Sequence, residues 1–345
     1  MGNWSELHQD LLVEILKKII FHEDYVTFGC ICRSWLFAAR NYNFSYKSYQ
    51  IPWLMISEEN FSNYKSFFSI WKDRIRDVYL PEARCKMCYS SKGWIITVDV
   101  DYSMSLLHPF SGVKIKLPNI ITIMSRRGLC GYLIAKCALS SSPSVTSDSI
   151  LVVIYGGRRE LAYIRPGKKN WNRIDIRGFL SDYVDIVFYN DKFYAVNIRG
   201  EILVFDFSGE EVAGHAVAQL PSELDERNDD YREKNMLYLV ECGGALLVVC
   251  RRAQYLVVEN ILHLSTFEFQ IFEVDLRTNT WTVVKDLGNR ALFLGSNVGE
   301  DNGVYNIHDG TTVPHFKGKF YSEFKDSPVW VEQSFDETDS FRHFY

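Results

Sequence analysis

Five times along this chain a short apolar run meets a tight turn, a second run follows, and a second turn leads into a closing run; few architectures accommodate that pattern. The first turns are Ser91-Lys92-Gly93, Gly156-Gly157, Asn190-Asp191, Gly243-Gly244 and Asn302-Gly303. The second turns are Ser111-Gly112, Pro166-Gly167, Ser208-Gly209, Thr278-Asn279 and Asp309-Gly310. With one innermost strand added to each, the units cover residues 84–117, 131–176, 183–219, 236–286 and 290–333. Recurrence every ~40 to 60 residues is the pattern of propeller blades, whose radial repetition leaves only short, protected sheet edges. The chain is therefore predicted to be mainly β, a β-propeller of about five to six four-stranded blades. A β-sandwich or two-layer β domain is the alternative. The apolar stretch Ile51 to Ile56 is predicted to close the ring against Val329 to Val331, and a short helix is predicted from Asn60 to Arg76.

The first 45 residues follow another period. Leu11, Leu12, Ile15, Leu16, Ile19 and Ile20 recur in pairs every four residues, the apolar face of an amphipathic helix. Asp24 is placed to cap a second helix carrying Tyr25, Val26 and Phe28, and Ser34 stands near the start of a third carrying Trp35, Ala38 and Ala39. Below roughly 40 residues a single core rarely sustains a fold, so this unit calls for a partner. The chain divides into a small three-helix unit at 4–45, a propeller at 50–335 and a C-terminal tail at 336–345.

Composition removes several classes of function. With 38 Lys+Arg against 43 Asp+Glu, the chain's field is too weakly acidic to gather a polyanion, so nucleic acid is not an expected partner. The longest clean apolar runs fall far short of the ~20 residues that cross a bilayer, and the start Asn3-Trp4-Ser5-Glu6 is unlike a signal peptide, so no membrane association is expected. Cys130, Cys137, Cys242 and Cys250 lie in apolar strings, which reads as reduced thiols in the nucleus and cytoplasm.

No catalytic motif emerges. Cys85-Lys86-Met87-Cys88 has the spacing of half a zinc site, but no second pair follows, and Cys30-x-Cys32 lies in the helical unit. Gly156-Gly157-Arg158-Arg159 lacks the Lys-Ser/Thr of a phosphate loop and reads as a hairpin. Asp301, His308 and Asp309 are explained by turn formation, and the charged run Glu223 to Glu233 by a solvated loop, with recognition of a basic partner as its functional alternative. No metal, cofactor or catalytic residue is assigned.

The helical unit carries the most specific signal. Trp4-Ser5-Glu6-Leu7-His8-Gln9-Asp10-Leu11-Leu12-Val13-Glu14-Ile15-Leu16, then Asp24 to Phe28, then Ile31-Cys32-Arg33-Ser34-Trp35, resembles an F-box. The family opens on Leu-Pro; here His8 replaces the proline, which would have fixed φ at the helix start. The remainder is similar to the propeller of KIB-type plant F-box proteins. The similarity runs through Arg76 to Pro81, Ser90 to Trp94, His108-Pro109-Phe110-Ser111, Leu161 to Gly167, Phe193 to Val196, Tyr238 to Glu241, Trp281, Asn289 to Gly295 and Pro328-Val329-Trp330.

That resemblance implies a non-catalytic substrate receptor of a cullin-RING (SCF-type) ubiquitin ligase. The F-box would bind a Skp-type adaptor joined to a cullin scaffold, while the propeller binds a target protein. Leu7, His8, Leu11, Leu12, Ile15, Leu16, Ile31, Cys32 and Trp35 would form or support the adaptor face. A ligase-independent module that covers a partner such as a kinase is the alternative. The longest connections run from Ser140 to Ser149, Pro221 to Asn235 and Arg252 to Ser265; the third is apolar, so Tyr255, Leu256, Ile261 and Leu262 are assigned to the target surface, the alternative being a strand extension packed on its own blade.

Overall fold

The computed structural model describes residues 4–19, 22–29, 31–42, 52–56, 62–70, 72–109, 112–123, 134–143, 148–175, 181–209, 212–222, 233–258, 261–288, 290–294, 303–305, 312–314 and 329–331. A single turn of 3-10 helix, Trp4–Glu6, precedes α1 (Gln9–Leu16), α2 (His22–Gly29) and α3 (Arg33–Asn41). The strands then follow in order. They are β1 Trp53–Met55, β2 Tyr64–Ser69, β3 Arg74–Tyr79, β4 Met87–Ser91, β5 Trp94–Val98, β6 Met104–Leu107 and β7 Lys114–Leu117. Next come β8 Ile134–Leu139, β9 Leu151–Tyr155, β10 Glu160–Ile164, β11 Asn172–Ile174, β12 Tyr183–Tyr189, β13 Lys192–Asn197, β14 Glu201–Asp206 and β15 Ala213–Gln219. The last are β16 Glu233–Cys242, β17 Ala245–Val258, β18 Ile261–Asp275, β19 Thr280–Val283, β20 Gly303–Tyr305, β21 Thr312–Pro314 and β22 Val329–Val331.

These strands make a propeller of five four-stranded blades. Four blades are consecutive meanders, β4–β7, β8–β11, β12–β15 and β16–β19, and the fifth has the order β22-β1-β2-β3. The predicted closure holds: Trp53 pairs with Val331, Leu54 with Trp330 and Met55 with Val329. The unit expected at 290–333 does not build a four-stranded blade of its own among the described residues. β20 and β21 pair only with each other, and β22 is given to the closing blade. Residues 291–294 instead run between blades: Leu292 and Leu294 pack with Tyr238 and Leu247, and Phe293 meets Trp330 at 5.0 Å between ring centres.

Strand side chains alternate between faces, and in a propeller both faces meet a neighbouring blade. β9 shows this directly. Leu151, Val153 and Tyr155 pack toward Trp94, Ile96 and Leu106, whereas Val152 and Ile154 pack toward Phe193, Leu203 and Phe205. β5 and β9 are therefore buried along their whole length, which is why they read as continuous apolar runs. In three blades the inner hairpin turns through a dipeptide with both φ values positive: Lys92-Gly93 (50°, 77°), Asn190-Asp191 (44°, 60°) and Gly243-Gly244 (64°, 82°). Such turns match the right-handed twist of the strands they join. In the β8–β11 blade the Gly156-Gly157 turn falls one strand later, between β9 and β10, so the five units are not in phase at that turn.

Three local expectations are corrected. The helix expected within Asn60 to Arg76 is the β2–β3 hairpin, because Phe67 and Phe68 face opposite sides of β2 into separate clusters. Asp24 lies inside α2 rather than capping it, and its carboxylate accepts from Lys72 Nζ at 2.7 Å. The connection expected from Arg252 to Ser265 is the outer part of the β17–β18 hairpin. Readings placed on Cys30, Asp301, His308, Asp309, residues 223–232 and the tail 336–345 lie outside the described residues.

Candidate functional site

Leu12 and Leu16 of α1, Tyr25 and Phe28 of α2, and Trp35, Ala38 and Ala39 of α3 form one buried cluster. Two hydrogen bonds fasten the chain's first turn onto it: Trp35 Nε1 donates to Trp4 O at 3.0 Å, and Ser34 Oγ donates to Ser5 O at 3.0 Å. Tyr25 donates its hydroxyl to Ala39 O at 2.7 Å, tying α2 to α3. The residues proposed for the adaptor face thus separate into three sets. Leu12, Leu16 and Trp35 are interior, Leu7, Ile15 and Cys32 pack against that interior, and His8, Leu11 and Ile31 reach the surface. Trp4 and Phe37, which the sequence reading did not select, are also exposed, at 69% and 61%. For Phe37 the signal was available: an apolar residue on the polar side of a helical repeat asks for a partner.

His8 occupies the N-cap of α1 with φ −63° and ψ 145°, the φ that a proline would impose. Its Nδ1 accepts from the backbone N–H of Asp10 at 3.4 Å, so the imidazole takes a capping role that a proline side chain has no atom to perform. At the N-cap of α3, Cys32 Sγ lies 3.1 Å from Ser34 Oγ, a contact that lowers the thiol pKa.

The inner strands β22, β4, β8, β12 and β16 surround a cavity of about 440 Å³ whose wall includes Tyr89, Lys136, Asp185, Tyr238, Phe293 and Trp330. A chain of polar contacts runs from β22 through β4, β8 and β12 to β16. Ser90 Oγ donates to Trp330 O; Tyr89 donates its hydroxyl to Ile134 O at 2.6 Å; and Ser91 Oγ accepts from Leu139 N at 2.9 Å. Between β8 and β12, Lys136 Nζ stands 3.7 Å from Asp185 Oδ1 and 5.2 Å from the centre of the Tyr238 ring. Between β12 and β16, Asp185 Oδ2 accepts from Leu239 N at 3.0 Å, while Oδ1 takes Ile186 N at 2.9 Å. Burial raises the Asp185 pKa, with Lys136 and the two N–H groups acting in the opposite direction. Sequence reasoning missed this hub, since Lys136 and Asp185 are far apart and neither belongs to a motif.

Cys85 is exposed in a left-handed turn (φ 56°), and Cys88 is half-buried on β4. No group of three or more His, Cys, Asp or Glu side chains converges as a metal site would require among the described residues. Cys250 is buried and Cys137 and Cys242 are half-buried; burial pushes the Cys137 thiol pKa strongly upward.

The fourth blade carries an arm. β17 and β18 run 14 and 15 residues and remain paired out to Val258 and Ile261. Tyr255, Leu256 and Val257 are consecutive and all exposed, so this part of the arm is open on both faces. The backbone of Ile261 and Leu262 pairs opposite Val258 and Val257.

A family model described as the KIB1-4 beta-propeller matches residues 67–300. One F-box protein of Arabidopsis thaliana is 28% identical over 303 residues, covering 85% of this chain and 78% of that protein. F-box protein KIB4 of the same plant is 25% identical over 329 residues, covering 86% and 78%. An F-box/kelch-repeat protein, also from Arabidopsis thaliana, is 25% identical over 302 residues, covering 84% and 76%. Among solved structures, a chain from a nidogen/laminin complex aligns with a TM-score of 0.37 and 9% identity over 67% of this chain and 92% of that one.

Proposed function

This chain belongs to the KIB1-4 β-propeller family, and on that premise we propose that it is the substrate receptor of a cullin-RING ubiquitin ligase. The observation that carries the reading is the division of labour in residues 4–42. A self-contained apolar core, Leu12, Leu16, Phe28 and Trp35, supports a surface on which Trp4, Leu11, Ile31 and Phe37 remain exposed. A unit this small that leaves four large apolar side chains in water is built to be covered. The partner is a Skp-type adaptor on a cullin scaffold, and the relatives named as F-box proteins support that assignment.

The propeller then holds a target protein, raising the effective concentration of its lysines near a ubiquitin-loaded enzyme, and the chain itself performs no bond chemistry. The target surface includes the arm at Tyr255 and Leu256. The complex works in the nucleus and cytoplasm. Capture of a purified Skp-type adaptor by the intact chain, with and without charge placed at Leu11, tests the reading.

A further inference from the structure

The receptor reading leaves open how a target is gripped, and the outer edge of β18 has a definite chemistry. Its neighbour on that side, β19, registers only with Phe272 to Asp275. Among the described residues no strand lies alongside Ile261 to Ser265, which spans about 17 Å of extended backbone at ~3.3 Å per residue. A strand edge directs main-chain N–H and C=O groups outward at alternate residues, a template for another strand.

Proteins protect such edges with lysine, proline, inward charges or bulges. The stretch Ile261 to Gln270 contains no Lys, Arg or Pro, one imidazole, His263, and a single carboxylate, Glu268. Glu268 already accepts from Arg252 Nη1 at 2.8 Å and from Gln270 Nε2 at 3.0 Å, so the edge presents little net charge. The one interruption is the bulge at Phe267, passed over between the pairs Thr266↔Ala253 and Glu268↔Arg252. It lies beyond Ser265 and leaves the outer five residues continuous.

We propose that Ile261 to Ser265 of β18 receives an extended, uncharged, proline-free segment of the target as an added strand. Main-chain hydrogen bonds supply the grip, and the neutrality of the edge selects a neutral segment. Tyr255, Leu256 and Val257 of β17, on the other side of β18, are exposed as well, so the arm carries further apolar surface beside the added strand. The proposal rests on the receptor reading for the identity of the partner as a ligase target.

The test uses the full chain and a fluorescein-labelled peptide of alternating Thr and Val, followed by anisotropy. Two further peptides carry backbone N-methyl groups at alternate residues, in opposite phase. Saturable binding is expected, lost with one methylated phase and kept with the other. Because adjacent residues of a strand send their N–H to opposite sides, Leu264→Pro and Ser265→Pro should differ. One of them weakens binding at least about fivefold with an unchanged melting temperature. Absence of saturable binding, or equal sensitivity to both methylated peptides, overturns the proposal. A sedimenting dimer that the peptide dissociates assigns the edge to a second copy of the chain and also overturns it. Adaptor capture, run on the same preparation, depends on Leu11 and not on β18; its failure would sink the receptor reading while leaving the peptide result standing.

Discussion

The indole N–H of Trp35 donates to the main-chain oxygen of Trp4 at 3.0 Å, so a residue in the interior of the helical unit fixes the position of one on its surface. Trp35→Phe keeps most of the buried volume and removes that bond. A loss of about 1 kcal/mol is expected, together with weaker adaptor capture through Trp4. Trp35→Ala opens a cavity and should cost about 3 to 5 kcal/mol. Thermal unfolding and capture measured side by side separate the two effects: if Trp35→Phe reduces neither, the bond does not position Trp4.

His8 already has the φ of a proline, so His8→Pro should be accepted without strain. Restricting the unfolded chain contributes roughly 0.4 to 1 kcal/mol, offset in part by losing the Nδ1 cap on Asp10. The expected melting temperature is equal to or higher than that of the wild type, with adaptor capture retained. A clear drop would mean that the imidazole cap matters more than backbone preorganisation.

Asp185 links folding to pH with a sign opposite to that of Asp101, Asp206 and Asp275. The carboxyls of those three are held below their usual range, first of all by hydrogen bonds involving Ser103, Ser208 and Arg277, so their contribution is present above the unfolded pKa and lost as pH falls through the folded one. The Asp185 pKa is raised by burial, so its contribution is full below the unfolded value and lost as pH rises through the folded one. Asp185→Asn cannot titrate. The wild type should therefore gain on the variant as pH is lowered through the folded-state pKa toward the unfolded one, on an absolute deficit of about 1 to 3 kcal/mol for the variant from unsatisfied partners. A melting-temperature difference that is flat or shrinks over that range contradicts this account.

Tyr255→Ser with Leu256→Ser tests the arm. Both side chains are exposed, so stability should change by no more than about 0.5 kcal/mol per site. Target capture should fall. A collapse in melting temperature would show instead that the arm packs on its own blade.

What could be read in the sequence was what local chemistry dictates. Lys92-Gly93, Asn190-Asp191 and Gly243-Gly244 were visible as turns because their backbone needs positive φ, which few residues tolerate. β5 and β9 were visible as strands because both faces are buried. β2 was misread because Phe67, Phe68 and Ile70 fit a helical period as well as a strand, and only β1 and β3 on either side decide between them. The arm was misread as a loop because nothing local distinguishes an exposed apolar hairpin from an apolar connection. Among the proposed adaptor residues, Leu11 and Leu12 looked equivalent, yet one is half-exposed and the other is fully enclosed by Phe28 and Trp35 of other helices. The Lys136–Asp185 pair was invisible because only blade packing brings β8 and β12 together.

Adaptor binding by the exposed helical surface is measured by capture of a purified Skp-type adaptor. Leu11→Asp combined with Ile31→Asp alters only exposed positions, whereas a charge at the enclosed Leu12 would unfold the unit. The wild-type chain should capture the adaptor, and the double variant, with an unchanged melting temperature, should bind at least about a hundredfold more weakly. A wild-type chain that fails to capture the adaptor, or a folded double variant that captures it equally well, would contradict the account.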